Sequence, residues 1–236
     1  MDKLAQAAVA GIQSGMLVGL GTGRAAARGV HALAARVKAE HLTITCVSTS
    51  KATEALATSL GLKVIDFGTV AGVDYLFDGT DELDPQLRML KGGGGAMTRE
   101  RIVAAAAKVR VNILDSSKLV PRLGTNYKLP VEIIPLGLTS VQAKLRELGL
   151  PGTVRKRKDA AGKPTAEDLI SDNGNFIVDV TLGASGPGWE DVEQLAFILD
   201  AMAGVVDHGL FLDEAQIVLI EDADGKVDRR ERVPTP

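Results

Sequence analysis

The sequence predicts an α/β protein with a Rossmann-like, mostly parallel sheet, helices on both faces, and a smaller ferredoxin-like α+β domain. Three observations favour this fold class. Short apolar segments alternate with helical segments through the first half of the chain. Beyond residue 130 the order becomes strand, helix, strand, strand, helix, strand. The chain has 236 residues, 45% of them hydrophobic, which is enough for one large domain or two modest ones.

In the first half of the chain, helical periodicity and short apolar runs define the expected elements. Helices are expected at residues 4–12, 25–38, 51–61 and 96–108. Strands are expected at residues 16–20, 43–48, 63–67, 73–77 and 109–115. Gly61 is a typical C-terminal signal for the third helix. Strands and helices alternating at this spacing indicate a parallel sheet covered on both faces.

The second half predicts an inserted domain at residues 131–206, within a Rossmann-like domain of residues 1–130 and 207–236. Strands are expected at residues 131–135, 153–157, 176–182 and 205–211, and helices at 139–149 and 189–204. The segment "SDNGN" before the third of these strands is a turn signal. The strand "AQIVLI" is expected to return to the large sheet, with a turn at "ADG" and a frayed tail at "VPTP".

Polar clusters follow four strands of the predicted parallel sheet. They are "GLGTGR", "STSKAT", "DGTDE" and "DSSK", each directly after an apolar run. Ligands of open α/β sheets bind beyond the carboxyl ends of the strands, so the four clusters are expected to meet at one rim. Polar turns are common at strand ends. That ordinary explanation accounts poorly for this mix of acids, lysines and hydroxyls.

The segment "GLGTGR" is an incomplete dinucleotide fingerprint. Arg24 occupies the position of the last glycine, and the second strand ends in hydroxyl residues rather than an acid. Glycines at a helix N-terminus leave backbone N–H groups open, which suits a phosphate. The hydroxyls that would add to such a site are Thr22, Ser48, Thr49 and Ser50.

Glu100 is the strongest candidate for a catalytic acid or base. It lies three residues after Met97 and four before Ala104, and therefore on the apolar face of its helix. Burial there would raise its pKa, while the helix dipole and a nearby cation would lower it. Such a carboxyl can act as a base near neutral pH. A stabilising role at the helix N-terminus, or a pair with a surface lysine, would equally explain its position.

The acids Asp78, Asp81 and Glu82 and the lysines Lys91 and Lys118 surround the same predicted rim. A solvated acidic turn or a structural ion network would explain them. The alternative is a site that stabilises an oxyanion in one place and moves protons in another.

Composition argues against several classes of function. Aromatic residues are 3% and the net charge is −3, so a nucleic-acid partner is not expected. No segment has the apolar length of a membrane span, and no signal peptide is recognised, so a cytoplasmic location is expected. Cys46 is the single cysteine, and the three histidines lack partners at metal-ligand spacing. We therefore expect no metal site.

Eight segments, in order along nearly the whole chain, resemble ribose-5-phosphate isomerase, type A. They are "GLGTG", "STSKATEALATSLG", "FDGTDELD", "LKGGGGAMTRERIVA", "DSSKLVPRLG", "LPVEIIP", "SDNGNFIVDV" and "GVVDHGLF". The resemblance implies interconversion of D-ribose 5-phosphate and D-ribulose 5-phosphate without metal or organic cofactor. It also suggests a homodimer or a homotetramer.

The resemblance assigns expected roles residue by residue. Glu100 matches the family's proton-transferring base. The matching substrate-binding segments are Asp78, Gly79, Thr80 and Asp81; Lys91, Gly92, Gly93 and Gly94; Lys118; and, on the phosphate side, Thr22, Gly23, Arg24 and Ala25. Asp78, Asp81 and Lys91 are expected to take part in catalysis with Glu100.

Arg24 and Ala25 depart from the family pattern, which usually continues "GTG" with serine and threonine. Arginine binds phosphate well and can replace the missing hydroxyls, or it can mark altered affinity or a different sugar phosphate. Two other functions remain open on such a scaffold. One is a sugar-phosphate sensor, although no DNA-reading helix pair is found in the sequence. The other is a different enzyme, such as an amino-sugar phosphate deaminase or a coenzyme A transferase.

Overall fold

A computed structural model describes residues 2–182 and 191–232. The helices are α1 (Lys3–Val9), α2 (Arg24–Glu40), α3 (Lys51–Ser59), α4 (Met97–Ala105), α5 (Leu138–Glu147) and α6 (Val192–Asp200). Side chains cap several of them: Asp2 caps α1, Ser50 caps α3 and Asp191 caps α6, each accepting a bond from a first-turn N–H. None of the helices in these ranges combines the length and apolar character that a bilayer-spanning segment needs.

The strands belong to one large sheet and three smaller ones. In chain order they are β1 (Leu17–Leu20), β2 (Thr45–Ser48), β3 (Val73–Gly79), β4 (Glu82–Leu83), β5 (Met89–Leu90), β6 (Ala107–Asp115), β7 (Leu129–Ile133), β8 (Gly152–Val154), β9 (Lys156–Lys158), β10 (Pro164–Asp168), β11 (Phe176–Val180), β12 (Val205–His208), β13 (Leu210–Phe211), β14 (Ile217–Glu221) and β15 (Val227–Glu231).

The large sheet has the order β15-β14-β6-β3-β1-β2, and only β15 runs antiparallel to its neighbour. Side chains alternate across β3, so that Tyr75 and Phe77 pack in one core with α1 and α2. Leu76 faces the other way and packs with Val103 of α4. The prediction of a mostly parallel sheet with helices on both faces is therefore confirmed.

The four-stranded sheet has the order β12-β7-β11-β8 and is antiparallel throughout. With α5 and α6 it gives the β-α-β-β-α-β sequence and the strand order of a ferredoxin-like unit, which confirms this part of the fold prediction. Its core is built by Leu129, Val131, Val178, Leu145 and Leu199. The domain boundaries at residues 131 and 206 stay a prediction.

Three predicted strands are wrong in detail. Residues 63–67 form only an isolated bridge between Val64 and Cys46, because Asp66 turns the chain into a short 3₁₀ helix by accepting a bond from the N–H of Gly68. The strand at 153–157 is divided at Arg155 into β8 and β9, which pair in different sheets. The strand at 205–211 is likewise divided at Gly209 into β12, which pairs with β7, and β13, which pairs with β5 in a different sheet. The hairpin strand β15 was not predicted. The predicted tail "VPTP" and the start of the 189–204 helix lie outside the described residues.

Cys46 lies in β2 and is completely buried. Burial raises the pKa of its thiol to about 12, so the group is neutral and unreactive in the folded protein.

Candidate active site

A cleft of about 390 Å³ lies beyond the carboxyl ends of β1, β3 and β6. Its size is in the range of small-molecule sites. The lining residues come from seven separate segments: Thr22, Gly23, Arg24 and Ala25; Gly79, Thr80 and Asp81; Lys91, Gly92, Gly93 and Gly94; Glu100; Lys118; Tyr127; and Lys158. Most of the residues predicted from the sequence are thus brought together.

Asp78 lies behind the wall of this cleft. Because side chains alternate along β3, Asp78 shares the face of Leu76 and points toward α4. Its carboxylate is 2% exposed, and Oδ1 accepts bonds from the N–H groups of Thr22 and Gly79 at 3.0 and 2.7 Å. A Cβ on Gly21 would lie 2.1 Å from this oxygen, so only glycine permits the close approach. Asp78 therefore shapes the turn after β1.

Glu100 lies in the first turn of α4 and is 4% exposed. It occupies the inward face, as its spacing from Met97 and Ala104 indicates. The ammonium of Lys91, also 4% exposed, lies 3.2 Å from Glu100 Oε2 and 3.2 Å from Asp78 Oδ2. Lys91 also donates a short hydrogen bond to the carbonyl of Gly79. One buried cation is thus shared by two buried carboxyls.

The shared cation leaves this cluster one positive charge short of neutrality when both acids are ionised. Burial, together with the negative charge of Asp78, raises the pKa of Glu100 to about 8, and Lys91 only partly offsets these effects. Burial also raises the pKa of Asp78. Burial opposes the charge on Lys91, but the surrounding carboxylates outweigh it and raise the pKa of Lys91 above its ordinary value. The site therefore holds a carboxyl that exchanges a proton near neutral pH beside a permanent cation.

Asp81 connects the acidic turn to the glycine segment that follows Lys91. Its Oδ2 accepts a 2.7 Å hydrogen bond from the N–H of Gly93. A Cβ on Gly93 would lie 2.9 Å from the Asp81 carboxylate oxygens, closer than any side chain permits. Across the cleft, a Cβ on Gly94 would lie 3.5 Å from Cγ2 of Thr22. Glycine is therefore needed at position 93 for the approach of Asp81, whereas the distance at Gly94 is an ordinary van der Waals contact.

The start of α2 forms the opposite end of the cleft. Gly23 is the N-cap, with φ of 96°, and supplies no side chain to the first N–H groups of the helix. The hydroxyl of Thr22 contacts those of Thr49 and Ser50 at 2.7 and 2.9 Å. No ion pair is found for Arg24 with any residue of the described ranges. A 17-residue helix, open N–H groups and a cation together favour an anion here.

Lys118 borders the cleft from the segment after β6. Its Nζ donates a 2.6 Å hydrogen bond to the carbonyl of Thr80. Burial lowers the pKa of Lys118, although Asp81 and Asp115 partly oppose this effect.

The predicted residues Ser48, Thr49 and Ser50 do not line the cleft. Thr49 and Ser50 are buried behind Thr22, where Ser50 donates to Thr53 and Thr53 donates to the carbonyl of Gly21. Their hydroxyls are thus occupied within the protein. Ser48 borders a separate pocket instead. Direct ligand contact by these three residues and by Asp78 stays a prediction, and the positions of Thr49, Ser50 and Asp78 behind the cleft wall favour a supporting role.

Tyr127 and Lys158 line the cleft but were not predicted. Both come from the chain around the four-stranded sheet, far in sequence from Glu100. Lys158 belongs to the basic run "RKRK", which was visible in the sequence, whereas no spacing or motif pointed to Tyr127. In the described ranges, no group of three His, Cys, Asp or Glu residues is arranged to hold a metal ion.

Comparisons with known proteins agree with one another. The family model for ribose 5-phosphate isomerase A (phosphoriboisomerase A) matches residues 45–225. Ribose-5-phosphate isomerase A of Sphingopyxis alaskensis is 42% identical over 217 residues, covering 92% of this chain and 90% of that protein.

Two solved structures are similar over nearly the whole chain. The ribose 5-phosphate isomerase A of Methanocaldococcus jannaschii has a TM-score of 0.87 and 34% identity, covering 98% of this chain and 97% of its own. A D-ribose-5-phosphate isomerase in complex with phospho-erythronic acid has a TM-score of 0.86 and 30% identity, covering 97% and 96%. On the sequence match, the coverage and the fold together, the chain belongs to the ribose 5-phosphate isomerase A family.

Proposed function

We propose that this protein interconverts D-ribose 5-phosphate and D-ribulose 5-phosphate through an enediolate. The observation that carries the proposal is Glu100, a buried carboxyl with a pKa of about 8 that faces the cleft beside the Lys91 ammonium. The start of α2 lies at the other end of the same cleft and suits a phosphate. A base and an anion site in one cleft fit a phosphorylated sugar.

Glu100 is the group that moves the proton. In the ionised form it takes the proton from C2 of the open-chain aldose and returns it to C1, while a proton passes between O1 and O2. The electron pair of the broken C–H bond enters the enediolate and then forms the new C–H bond at C1, so no external oxidant is needed. Positioned acid–base catalysis of this kind contributes about 10²–10⁴-fold.

The growing negative charge on the sugar oxygens is stabilised by Lys91 and by the backbone of the glycine segment. Lys91 keeps its charge because carboxylates surround it. Each well-placed oxyanion donor contributes about 10²–10³-fold. The phosphate is held by the start of α2 with Arg24, and Lys118 and Lys158 add positive charge to the cleft. Binding energy from this remote group lowers the KM and so raises kcat/KM for the phosphorylated sugar.

The two aspartates take different parts. Asp81 lines the cleft and is positioned to bind sugar hydroxyls and assist opening of the furanose ring. Asp78 is buried, so its part is to hold Lys91 and the Thr22 turn in place. These roles refine the sequence prediction, in which both aspartates contacted the sugar.

The first prediction concerns turnover after Glu100→Gln. Glutamine keeps the shape of the side chain but cannot accept the C2 proton, so kcat with ribose 5-phosphate should fall at least about 10²-fold. Conversion to ribulose 5-phosphate is followed by ultraviolet absorbance, and the fold is checked by circular dichroism. Glu147→Gln, on the exposed surface of α5, is the matched control and should keep wild-type kcat. Near-wild-type turnover by a folded Glu100→Gln protein would refute the assignment of the base.

The same assay decides between the isomerase and the other functions considered from the sequence. The wild-type protein is tested with other pentose and hexose phosphates, amino-sugar phosphates and acyl coenzyme A donors. A sensor would bind ribose 5-phosphate without turning it over, and a deaminase would release ammonia from an amino sugar. The oligomeric state and the cytoplasmic location stay predictions; gel filtration with light scattering measures the former.

A further inference from the structure

We propose that Arg155 is a positioning residue that aims the N–H of Gly94 into the cleft, where it donates to the enediolate oxygen. The inference rests on the proposed isomerase function and deepens it. Arg155 itself does not line the cleft; it lies behind the glycine segment, on the side of the four-stranded sheet.

Arg155 joins the glycine segment to a strand of the four-stranded sheet. Its Nη1 donates to the carbonyl of Gly92 at 2.7 Å and to that of Gly93 at 3.2 Å. The other side of the guanidinium pairs with both carboxylate oxygens of Asp179, at 2.9 and 2.5 Å. The backbone of Arg155 is fixed as well, since its N–H donates to the carbonyl of Ile177 at 2.8 Å. Asp179 and the backbone bond therefore fix the position of the guanidinium independently of its hydrogen bonds to the glycine carbonyls.

Because peptide groups are planar, a hydrogen bond to a carbonyl also fixes the direction of the N–H in the same peptide group. In a planar trans peptide the carbonyl and the following N–H point to opposite sides, and no cis peptide is found among the described residues. When Arg155 holds the Gly92 carbonyl, the Gly93 N–H must point away from it. It does so, donating to Asp81 at 2.7 Å. By the same rule, holding the Gly93 carbonyl turns the Gly94 N–H away from Arg155, toward the cleft that Gly94 lines.

The N–H of Gly94 has no hydrogen-bond acceptor in the described part of the protein, whereas those of its neighbours Gly93 and Gly95 are bonded to Asp81 and to the Gly92 carbonyl. It is thus a donor left available on the cleft wall. A glycine run has little stiffness of its own, and Gly92 and Gly95 both adopt positive φ. External contacts must therefore fix the direction of this donor, and Asp81 and Arg155 supply them from opposite sides.

Arginine suits this position better than lysine. Its planar group presents several N–H donors at fixed angles, so that it binds Asp179 bidentately and two carbonyls at the same time. A lysine would supply one compact charge and could not hold both partners in the same geometry.

The test is a comparison of Arg155→Ala and Arg155→Lys with Arg157→Ala. Arg157 is two residues further on, lies outside the cleft lining and pairs with exposed Glu167, so it is the matched control for removal of a nearby positive charge. For Arg155→Ala we expect kcat with ribose 5-phosphate to fall about 10- to 100-fold, part of the effect of losing one oxyanion donor. The KM should change less than about threefold, because ground-state binding depends on other groups. The kcat of Arg155→Lys should lie between that of Arg155→Ala and that of the wild type.

Inhibition constants distinguish a role of Arg155 in directing the Gly94 N–H from a merely structural role. Phospho-erythronic acid carries an anionic group near the position of the enediolate oxygens, so its inhibition constant should rise in parallel with the loss of kcat. The inhibition constant of inorganic phosphate, which occupies only the anion end, should stay unchanged. Equal weakening of both inhibitors, an increase in KM at constant kcat, or a kcat within threefold of Arg157→Ala would each overturn the proposal.

Should Arg155→Ala fail to fold by circular dichroism, Asp179→Asn decides instead. It leaves Arg155 in the chain but weakens the carboxylate pair that orients it, so a smaller loss confined to kcat is expected, and unchanged kcat would overturn the proposal. Failure of the proposed function itself is recognised separately, because the wild-type protein would then lack isomerase activity altogether.

Discussion

Glu100 and Asp78 compete for one ammonium group at a place where both carboxyls are almost fully buried. Their carboxyls each lie 3.2 Å from Lys91, yet a single positive charge cannot neutralise both. The proton that remains on Glu100 up to a pH of about 8 relieves this imbalance. The same condition that raises the pKa of Glu100 therefore means that its ionised form destabilises the folded protein.

A pH-dependent stability difference should follow from this cost. In the unfolded chain Glu100 loses its proton near its ordinary pKa of 4.5, and in the folded protein it loses it near 8. The unfolded state thus binds fewer protons between these values. The stabilisation is complete below pH 4.5 and is lost as the pH rises through 8, at up to about 1.4 kcal/mol per pH unit. Glu100→Gln removes this dependence, so its unfolding free energy relative to wild type should increase from pH 5 to pH 8.

Urea unfolding at pH 5, 6.5 and 8 measures this difference. Glu147→Gln is the control and should follow the wild-type curve at every pH. If Glu100→Gln and wild-type stability change in parallel with pH, then Glu100 does not carry the raised pKa.

At the scale of single elements, helix α2 determines the charge at one end of the cleft. Its N-cap is glycine and its first turn carries no acidic residue, so the positive end of the helix dipole is unopposed. Arg24 stands at the first helical position. A guanidinium thus adds charge at a site that otherwise depends on N–H and O–H donors.

Replacement of Arg24 by alanine should therefore raise the KM for ribose 5-phosphate about tenfold, as expected for loss of one hydrogen bond to a charged group. The kcat should change little, because the reacting carbons lie at the other end of the cleft. Steady-state kinetics give both values. Lys38→Ala removes a charge from the last turn of the same helix and serves as the control. An unchanged KM for Arg24→Ala would exclude Arg24 from the phosphate contacts.

Sequence patterns located most of the cleft because strand ends and helix faces are local properties. Asp78 follows an apolar run, and Glu100 keeps helical spacing with Met97, so both could be placed without coordinates. The exclusion of Ser50 from the cleft could not be foreseen, because it depends on Thr53 accepting from its hydroxyl and donating onward to Gly21. Tyr127 was missed for a related reason: only the packing of distant segments brings it to the site.

At the scale of the whole molecule, Glu132 joins the four-stranded sheet to helix α4. It lies in β7, is fully buried, and accepts hydrogen bonds from Thr98 of α4 and from the "SDNGN" loop through Ser171, Asn173 and Asn175. The partners of this carboxylate thus include the helix that carries Glu100. Its four donors satisfy the buried charge, and each would lose its partner if the side chain were removed.

We expect Glu132→Ala to lower the unfolding free energy by about 3 kcal/mol or more, since several buried donors are then left unpaired. Glu132→Gln keeps an acceptor for the loop and should cost less. Urea denaturation measures the unfolding free energy of both variants. Glu167→Ala, on the exposed face of β10, is the control. Equal stability of Glu132→Ala and the control would show that this network does not stabilise the contact between the four-stranded sheet and α4.

The solitary thiol of Cys46 gives the molecule an internal chemical probe. An alkylating reagent cannot reach a sulfur enclosed in β2 until that border of the large sheet separates from its neighbours. The rate of alkylation therefore measures how often the edge strand β2 separates from the sheet, and no added label is needed.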